Sequence, residues 1–118
     1  MKTLVIGASA NPSRYAFIAI NKLLAHGHEV EAIGLKNEKV ASVAIQTGFP
    51  ELENIHTVTM YINPMRQKEY YEYIVDLKPQ RVIFNPGTEN PEFYKLLEKN
   101  NIAYEAACTL VLLSIGQY

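Results

Sequence analysis

The chain has 118 residues, of which 48% are hydrophobic and 19% charged, with a formal net charge of −1. That length and balance fit one globular domain, residues 1–118, able to bury a core, and exclude a disordered chain. With no basic excess and no Lys/Arg run, neither nucleic acid nor an anionic membrane surface is an expected partner.

The first element is Leu4-Val5-Ile6, an apolar run bounded by Gly7. It reads as a strand buried on both faces, as a parallel sheet requires. It is too short for the apolar core of a signal peptide, and no stretch reaches the length of a membrane span. A helix follows from Ser13 or Arg14 to His26, with Phe17, Ile20, Leu23 and Leu24 as its buried stripe and Gly27 at its left-handed end. His28 to Leu35 forms the second strand. Lys36 to Lys39 is polar and begins a loop, and Ser42 to Ile45 forms a short third strand. Gly48, Pro50 and Asn54 punctuate an irregular stretch with at most one helical turn at Glu51 to Glu53.

Thr57 to Ile62 is rich in β-formers and gives the fourth strand. Asn63-Pro64 is a helix start, with Asn as cap and Pro in the first turn. That helix extends to Leu77, with Tyr70, Tyr73, Ile74 and Leu77 inward. Arg81 to Phe84 is the fifth strand. Asn90-Pro91 repeats the start signal before a helix lined by Phe93, Leu96 and Leu97, which ends at Asn100-Asn101. Ile102 to Glu105 forms the last strand. Thr109 to Ile115 is compatible with a terminal helix or a strand. The alternation predicts an α/β fold, a doubly wound, Rossmann-like three-layer sandwich with a mainly parallel sheet.

The loop Gly7-Ala8-Ser9-Ala10-Asn11-Pro12-Ser13-Arg14 leaves a strand and opens a helix, where doubly wound folds bind phosphates. The helix start presents free N–H groups and a positive dipole end. Gly7 allows a tight turn, the small residues leave room, Ser9 and Ser13 offer hydroxyls, and Arg14 offers a guanidinium fork. The same features also serve any strand-to-helix turn. The dinucleotide fingerprint has glycines at its first, third and sixth positions. Here those positions hold Gly7, Ser9 and Pro12. After the second strand, where NAD sites carry an acid, the chain has Gly34-Leu35-Lys36. A lysine there suits a phosphorylated ribose, as in coenzyme A or NADP, or is a solvated loop residue.

These residues carry a resemblance. Gly7-Ala8-Ser9, Pro12, Arg14 and the helix end Leu24-Ala25-His26-Gly27-His28-Glu29-Val30 are similar to the small CoA-binding-domain proteins. Those are stand-alone relatives of the N-terminal domain of the succinyl-CoA synthetase α subunit. The resemblance continues through Phe84-Asn85-Pro86-Gly87-Thr88-Glu89-Asn90 to Asn101-Ile102 and Cys108. The chain departs from the family at Ala32-Ile33-Gly34-Leu35, where Pro-Val-Asn-Pro is usual, and before the later Gly, where the family often has an aromatic and a Gln at positions that approximate Phe84 and Pro86 here. The resemblance implies a CoA or related nucleotide site at Gly7, Ala8, Ser9, Pro12 and Arg14. It places Lys36 toward the ribose phosphate, and Asn63, Pro64, Asn85, Pro86 and Gly87 on the other side.

No catalytic constellation emerges, and the expectation is a binding protein rather than an enzyme. His26 and His28 flank a helix cap and offer no third ligand for a metal. Cys108, the sole cysteine, excludes an internal disulfide and fits a reducing, cytoplasmic compartment. It reads as a small buried hydrophobe, or as a reactive thiol if a helix N-terminus lowers its pKa. The cluster Tyr70-Tyr71-Tyr73 exceeds one buried helix face and raises the expectation of a homodimer, or simply covers the sheet. Two other readings stay open: an NAD(P)-linked enzyme or sensor, and a degenerate Rossmann domain used for protein interaction.

Overall fold

A computed structural model describes residues 1–118. Seven strands form one sheet: β1 (Thr3–Ala8), β2 (Val30–Gly34), β3 (Glu38–Val40), β4 (Val43–Gln46), β5 (Thr57–Met60), β6 (Arg81–Phe84) and β7 (Ala103–Ala106). Their spatial order is β3-β4-β2-β1-β5-β6-β7. All pairs are parallel except β3 with β4. The chain moves outward from β1 to one side through β2 and to the other through β5. The carboxyl end of β1 is therefore the topological switch point, where such sheets open a crevice.

The helices are α1 (Tyr15–Ala25), α2 (Pro64–Gln67), α3 (Tyr71–Leu77), α4 (Pro91–Lys99) and α5 (Thr109–Ser114). Side chains of β1 alternate between the two faces of the sheet. Leu4 and Ile6 join Val58, Met60, Val82 and Phe84 beneath Ile74 of α3 and Phe93 and Leu97 of α4. Val5 joins Ala32 and Ile45 beneath Ile20 and Leu23 of α1 and Leu113 of α5. This gives the three layers read from the sequence. No helix is long and apolar enough to cross a membrane.

Both Asn-Pro pairs start helices in the expected way. Asn63 Oδ1 accepts from Arg66 N–H at 2.9 Å, and Asn90 Oδ1 accepts from Phe93 N–H at 3.2 Å. Gly27 follows α1 at φ +82, with its N–H bonded to Leu24 O and that of His28 to Leu23 O.

Several boundaries differ from the sequence reading. The segment read as a loop at Lys36 to Lys39 contributes the edge strand β3, hairpinned onto β4. Only Val40 of that strand is buried, so its pattern carries almost no hydrophobic signal. Glu51 to Glu53 is irregular, within the expectation of at most one helical turn. The long helix over 64–77 is interrupted by a 3-10 turn at Lys68–Tyr70. Gln67, Tyr70 and Ile74 are all buried, at the i, i+3 and i+7 spacing of one helix face. Thr109–Ser114 is helical, which settles the terminal alternative.

The tyrosine cluster is used within the chain. Tyr70 packs against Phe49 at 5.2 Å. The Tyr71 hydroxyl accepts from Asn90 and donates to Glu92, and the Tyr73 hydroxyl donates to Pro50 O at 2.6 Å. Burial pushes the Tyr73 phenol up to about 12, so it stays a neutral donor.

The end of β1 is tightly placed. Gly7 has φ +94, and a Cβ there would lie 2.8 Å from Ile62 Cγ2 and 2.9 Å from the Tyr61 carbonyl carbon. Gly27 is equally left-handed but would meet nothing within 4 Å. Both Gly→Ala changes carry the backbone penalty; only the first adds overpacking. Urea unfolding is expected to show a loss of about 1 kcal/mol for Gly27→Ala and of about 3 kcal/mol or more for Gly7→Ala. Equal losses would contradict the close approach.

The amino edge of the sheet holds His28 and His56. Burial lowers the pKa of both from 6.5, helped for His28 by the N-terminal ammonium and His26, and for His56 by Arg81. The folded state thus favours the neutral rings, and the unfolded chain binds more protons below 6.5. Their contribution is present above pH 6.5 and is lost as pH falls through the lowered folded values. The melting midpoint is expected to drop on going from pH 7.5 to 5.5, and less steeply in the His28→Gln/His56→Gln double variant. An identical slope in both would remove the histidines from the account.

Candidate functional site

The crevice at the switch point holds a cleft of about 790 Å³. Small-molecule sites span roughly 300–1,000 Å³, so a nucleotide-sized ligand fits. Its floor is the β1–α1 loop. Gly7, Ala8, Ser9, Ala10, Asn11, Ser13 and Arg14 all line it.

That loop is held by its own polar groups. Asn11 N–H donates to Ser9 Oγ at 3.0 Å. Asn11 Oδ1 accepts from Ser13 N–H at 3.0 Å and from Ser13 Oγ at 2.8 Å. The hydroxyls expected to meet a ligand are thus engaged locally, and a ligand would compete with weak, exposed bonds. Arg14 is the residue before α1, and no side chain caps that helix. Tyr15 and Ala16 of its first turn line the cleft, and an α-helix offers unpaired donors there.

Leu35, Lys36 and Glu38, which follow β2, form one wall. Gly34 shapes its base: a Cβ there would lie 2.4 Å from Ala8 O. The usual family asparagine at this turn could not approach β1 so closely. Tyr61, Ile62 and Arg66, which follow β5, line the cleft on the other side, with Pro86 and Thr88 after β6.

The residues named from the sequence are therefore divided. Gly7, Ala8, Ser9, Arg14, Lys36 and Pro86 line the cleft; Pro12, Asn63, Pro64, Asn85 and Gly87 do not. Asn63 is spent capping α2. The Gly87 N–H donates to Glu89 at 2.8 Å. Asn85 is buried, and its amide is fully committed. Nδ2 donates to Thr59 Oγ1 at 2.7 Å and Met60 O at 2.8 Å, while Oδ1 accepts from Thr109 N–H at 2.9 Å. It ties β5, β6 and α5 together rather than facing a ligand.

Two contributors escaped the sequence reading. Arg66 lines the cleft from α2, where an isolated helical arginine reads as a solvated surface residue. Gln67, beside it, is fully buried. Its Nε2 donates to Ile62 O at 2.9 Å and Thr88 O at 2.8 Å, and its Oε1 accepts from Asn90 at 2.9 Å. It locks the loops after β5 and β6 to each other. The Asn-Pro start one turn earlier placed the helix, but nothing in the pattern marked this glutamine as interior.

The electrostatics are one-sided. Arg14, Lys36 and Arg66 line the cleft against a single carboxylate, Glu38. The only ion pairs in the chain are Lys2–Glu31 and Arg81–Glu105, so none of the three cations has an acidic partner. Burial and the nearby Cys108 thiol push the Tyr61 phenol above its ordinary value, so it is neutral. No histidine or cysteine lines the cleft. No group of three His, Cys, Asp or Glu residues is placed to hold a metal ion.

Known proteins bear on this geometry. The chain is similar to an uncharacterized protein of known crystal structure at 47% identity, covering 99% of this chain and 97% of that one, with a TM-score of 0.96. A hypothetical protein from Pyrococcus horikoshii OT3 is 26% identical over 92% of this chain and 78% of that one, with a TM-score of 0.83. The cell-free ID.343 protein from Thermus thermophilus shares the fold, with a TM-score of 0.86 at 21% identity over 99% and 90% of the two chains. No curated protein matches the sequence. Residues 1–114 match the family described as CoA binding domain. With the doubly wound sheet and the open crevice at its switch point, that match places the chain in the family of CoA-binding domains.

Proposed function

We propose that this protein binds coenzyme A, or a closely related nucleotide, in the cleft at the carboxyl end of β1, without catalysing a reaction on it. One observation carries the reading: the cleft gathers Arg14 and Lys36, both without an acidic partner, around the amino end of α1. Free backbone donors and a guanidinium fork suit a phosphate group. Gly7 and Ala8 let the ligand approach the backbone, and Ser9 and Ser13 can turn their hydroxyls toward it. Lys36, on the wall after β2, suits a phosphate on the ribose. Such a phosphate separates coenzyme A and NADP from NAD.

The absence of catalysis rests on the side chains lining the cleft. Acid/base work needs a group whose pKa lies near the working pH. Glu38 is the single carboxylate and is solvent-exposed, and the histidines precede β2 and β5 at the opposite edge. The half-buried Cys108, before α5, does not line the cleft.

A second reading has its own observation. Glu38 shares the wall with Lys36, and a carboxylate there accepts hydrogen bonds from free ribose hydroxyls. That would favour NAD or another nucleotide with an unmodified ribose.

Titration calorimetry with coenzyme A, 3′-dephospho-CoA, NADP and NAD separates the two. Coenzyme A is expected to bind more tightly than its dephospho form by about tenfold, the scale of one charge-assisted contact. Lys36→Ala should erase that difference, and Arg14→Ala should weaken both ligands. Tighter binding of NAD, weakened by Glu38→Gln, would establish the second reading instead.

A further inference from the structure

Arg66 has no assigned role, yet the fold holds it at the cleft with unusual care. The chain contains three arginines. Arg81 is consumed at the amino edge of the sheet. Its Nε donates to Thr57 at 2.9 Å, one terminal nitrogen pairs with Glu105 at 3.4 Å, and its guanidinium lies 4.5 Å from the centre of the Tyr118 ring. The other two, Arg14 and Arg66, both line the cleft, and neither meets a carboxylate.

They reach it from opposite layers. Arg14 precedes α1, which packs on the face holding Val5 and Ala32. Arg66 lies in α2, which leads into α3 on the face holding Leu4 and Ile6. The crevice at the switch point separates these two layers, so the two arginines line it from opposite sides. The backbone of Arg66 is fixed on both sides in sequence. Its N–H is capped by Asn63 at 2.9 Å, and the next residue, Gln67, is pinned by three buried hydrogen bonds. A buried glutamine with every bond made is costly to disturb, because each orphaned partner forfeits its solvation. A surface arginine of a solvated helix needs no such anchoring.

We infer that Arg66 is a second phosphate-binding residue of this cleft, which with Arg14 clamps the diphosphate of the ligand from both sides. This rests on the nucleotide-binding reading above. A diphosphate offers negatively charged oxygens on both sides of its bridge, and each guanidinium presents a planar fork of donors that matches two of them. One arginine and one helix start would hold a single phosphate; the second arginine lining the cleft supplies a fork for the other.

The test is calorimetric titration of coenzyme A and ADP into the full chain and its Arg66→Ala, Arg66→Lys and Arg14→Ala variants. ADP carries the diphosphate without the ribose phosphate. Arg66→Ala is expected to weaken both ligands at least tenfold, Arg66→Lys to recover part of the loss, and the salt dependence of both affinities to flatten. The melting midpoint of the free protein should stay unchanged, which a merely structural arginine would not allow. Unchanged affinities in Arg66→Ala would overturn the inference and leave the coenzyme A reading intact. Weakened coenzyme A with unchanged ADP would move Arg66 to the ribose phosphate and overturn the clamp. ADP binding that depends on Arg66, without any coenzyme A binding, would keep the clamp and overturn the coenzyme A reading. Binding of neither ligand by the unaltered protein would overturn both.

Discussion

The end of β1 runs so close to the backbone of Tyr61 and the side chain of Ile62 that residue 7 has no room for a side chain. Everything at the carboxyl edge depends on that approach. Gly7 turns the chain in the left-handed region and shifts the β1–β2 register between Ile6 and Ala8. The shift sets Ala8 O against Gly34, where again no Cβ fits. Two glycines thus draw the ends of β2, β1 and β5 together at the point where the chain reverses direction across the sheet. The loops that leave these three strands surround one crevice, with α1 departing to one layer and α2 to the other. Binding geometry follows from backbone packing before any polar side chain is considered.

Polar pins then hold the loops that the glycines brought together. Gln67 joins the loop after β5 to the loop after β6, and Asn85 joins β5 and β6 to the start of α5. These amides are buried and satisfied, so each fixes geometry at little net energy while making departure expensive. The cations of the cleft are left free because the rigid frame does not need them. The opposite edge reverses the pattern: Arg81, His28, Thr3 and Tyr118 are engaged with one another there. The chain is nearly neutral overall, yet its unpaired guanidinium groups lie at one site, which makes that site attractive to a polyanion.

Much of this was legible in the sequence, and the remainder was hidden for identifiable reasons. The Leu4-Val5-Ile6 run, the two Asn-Pro starts and Gly27 each follow from local stereochemistry, and each formed the element expected. Strand β3 was read as a loop because an edge strand with one buried residue shows no alternation of hydrophobicity. The 3-10 turn before α3 escaped because periodicity over 64–77 is nearly continuous. Asn85 was placed at the ligand by resemblance, but its hydrogen-bonding capacity is exhausted in the core. Arg66 and Gln67 lacked any signal, since polar residues in a helix read as solvated until the loops folded over them are known. The β1–α1 loop that lines the crevice was legible because its stereochemistry is local; the far wall was not, because it is assembled from three separate loops.

We propose that coenzyme A occupies the crevice between α1 and α2. The most direct measurement is a titration of isotope-labelled protein with coenzyme A, followed through its backbone amide resonances. The expected result is a contiguous set of shifted amides over residues 7–16, 34–38, 61–66 and 86–88, with the amino edge around His28, His56 and Arg81 unmoved. Shifts confined to that amino edge, or none at saturating coenzyme A, would contradict it.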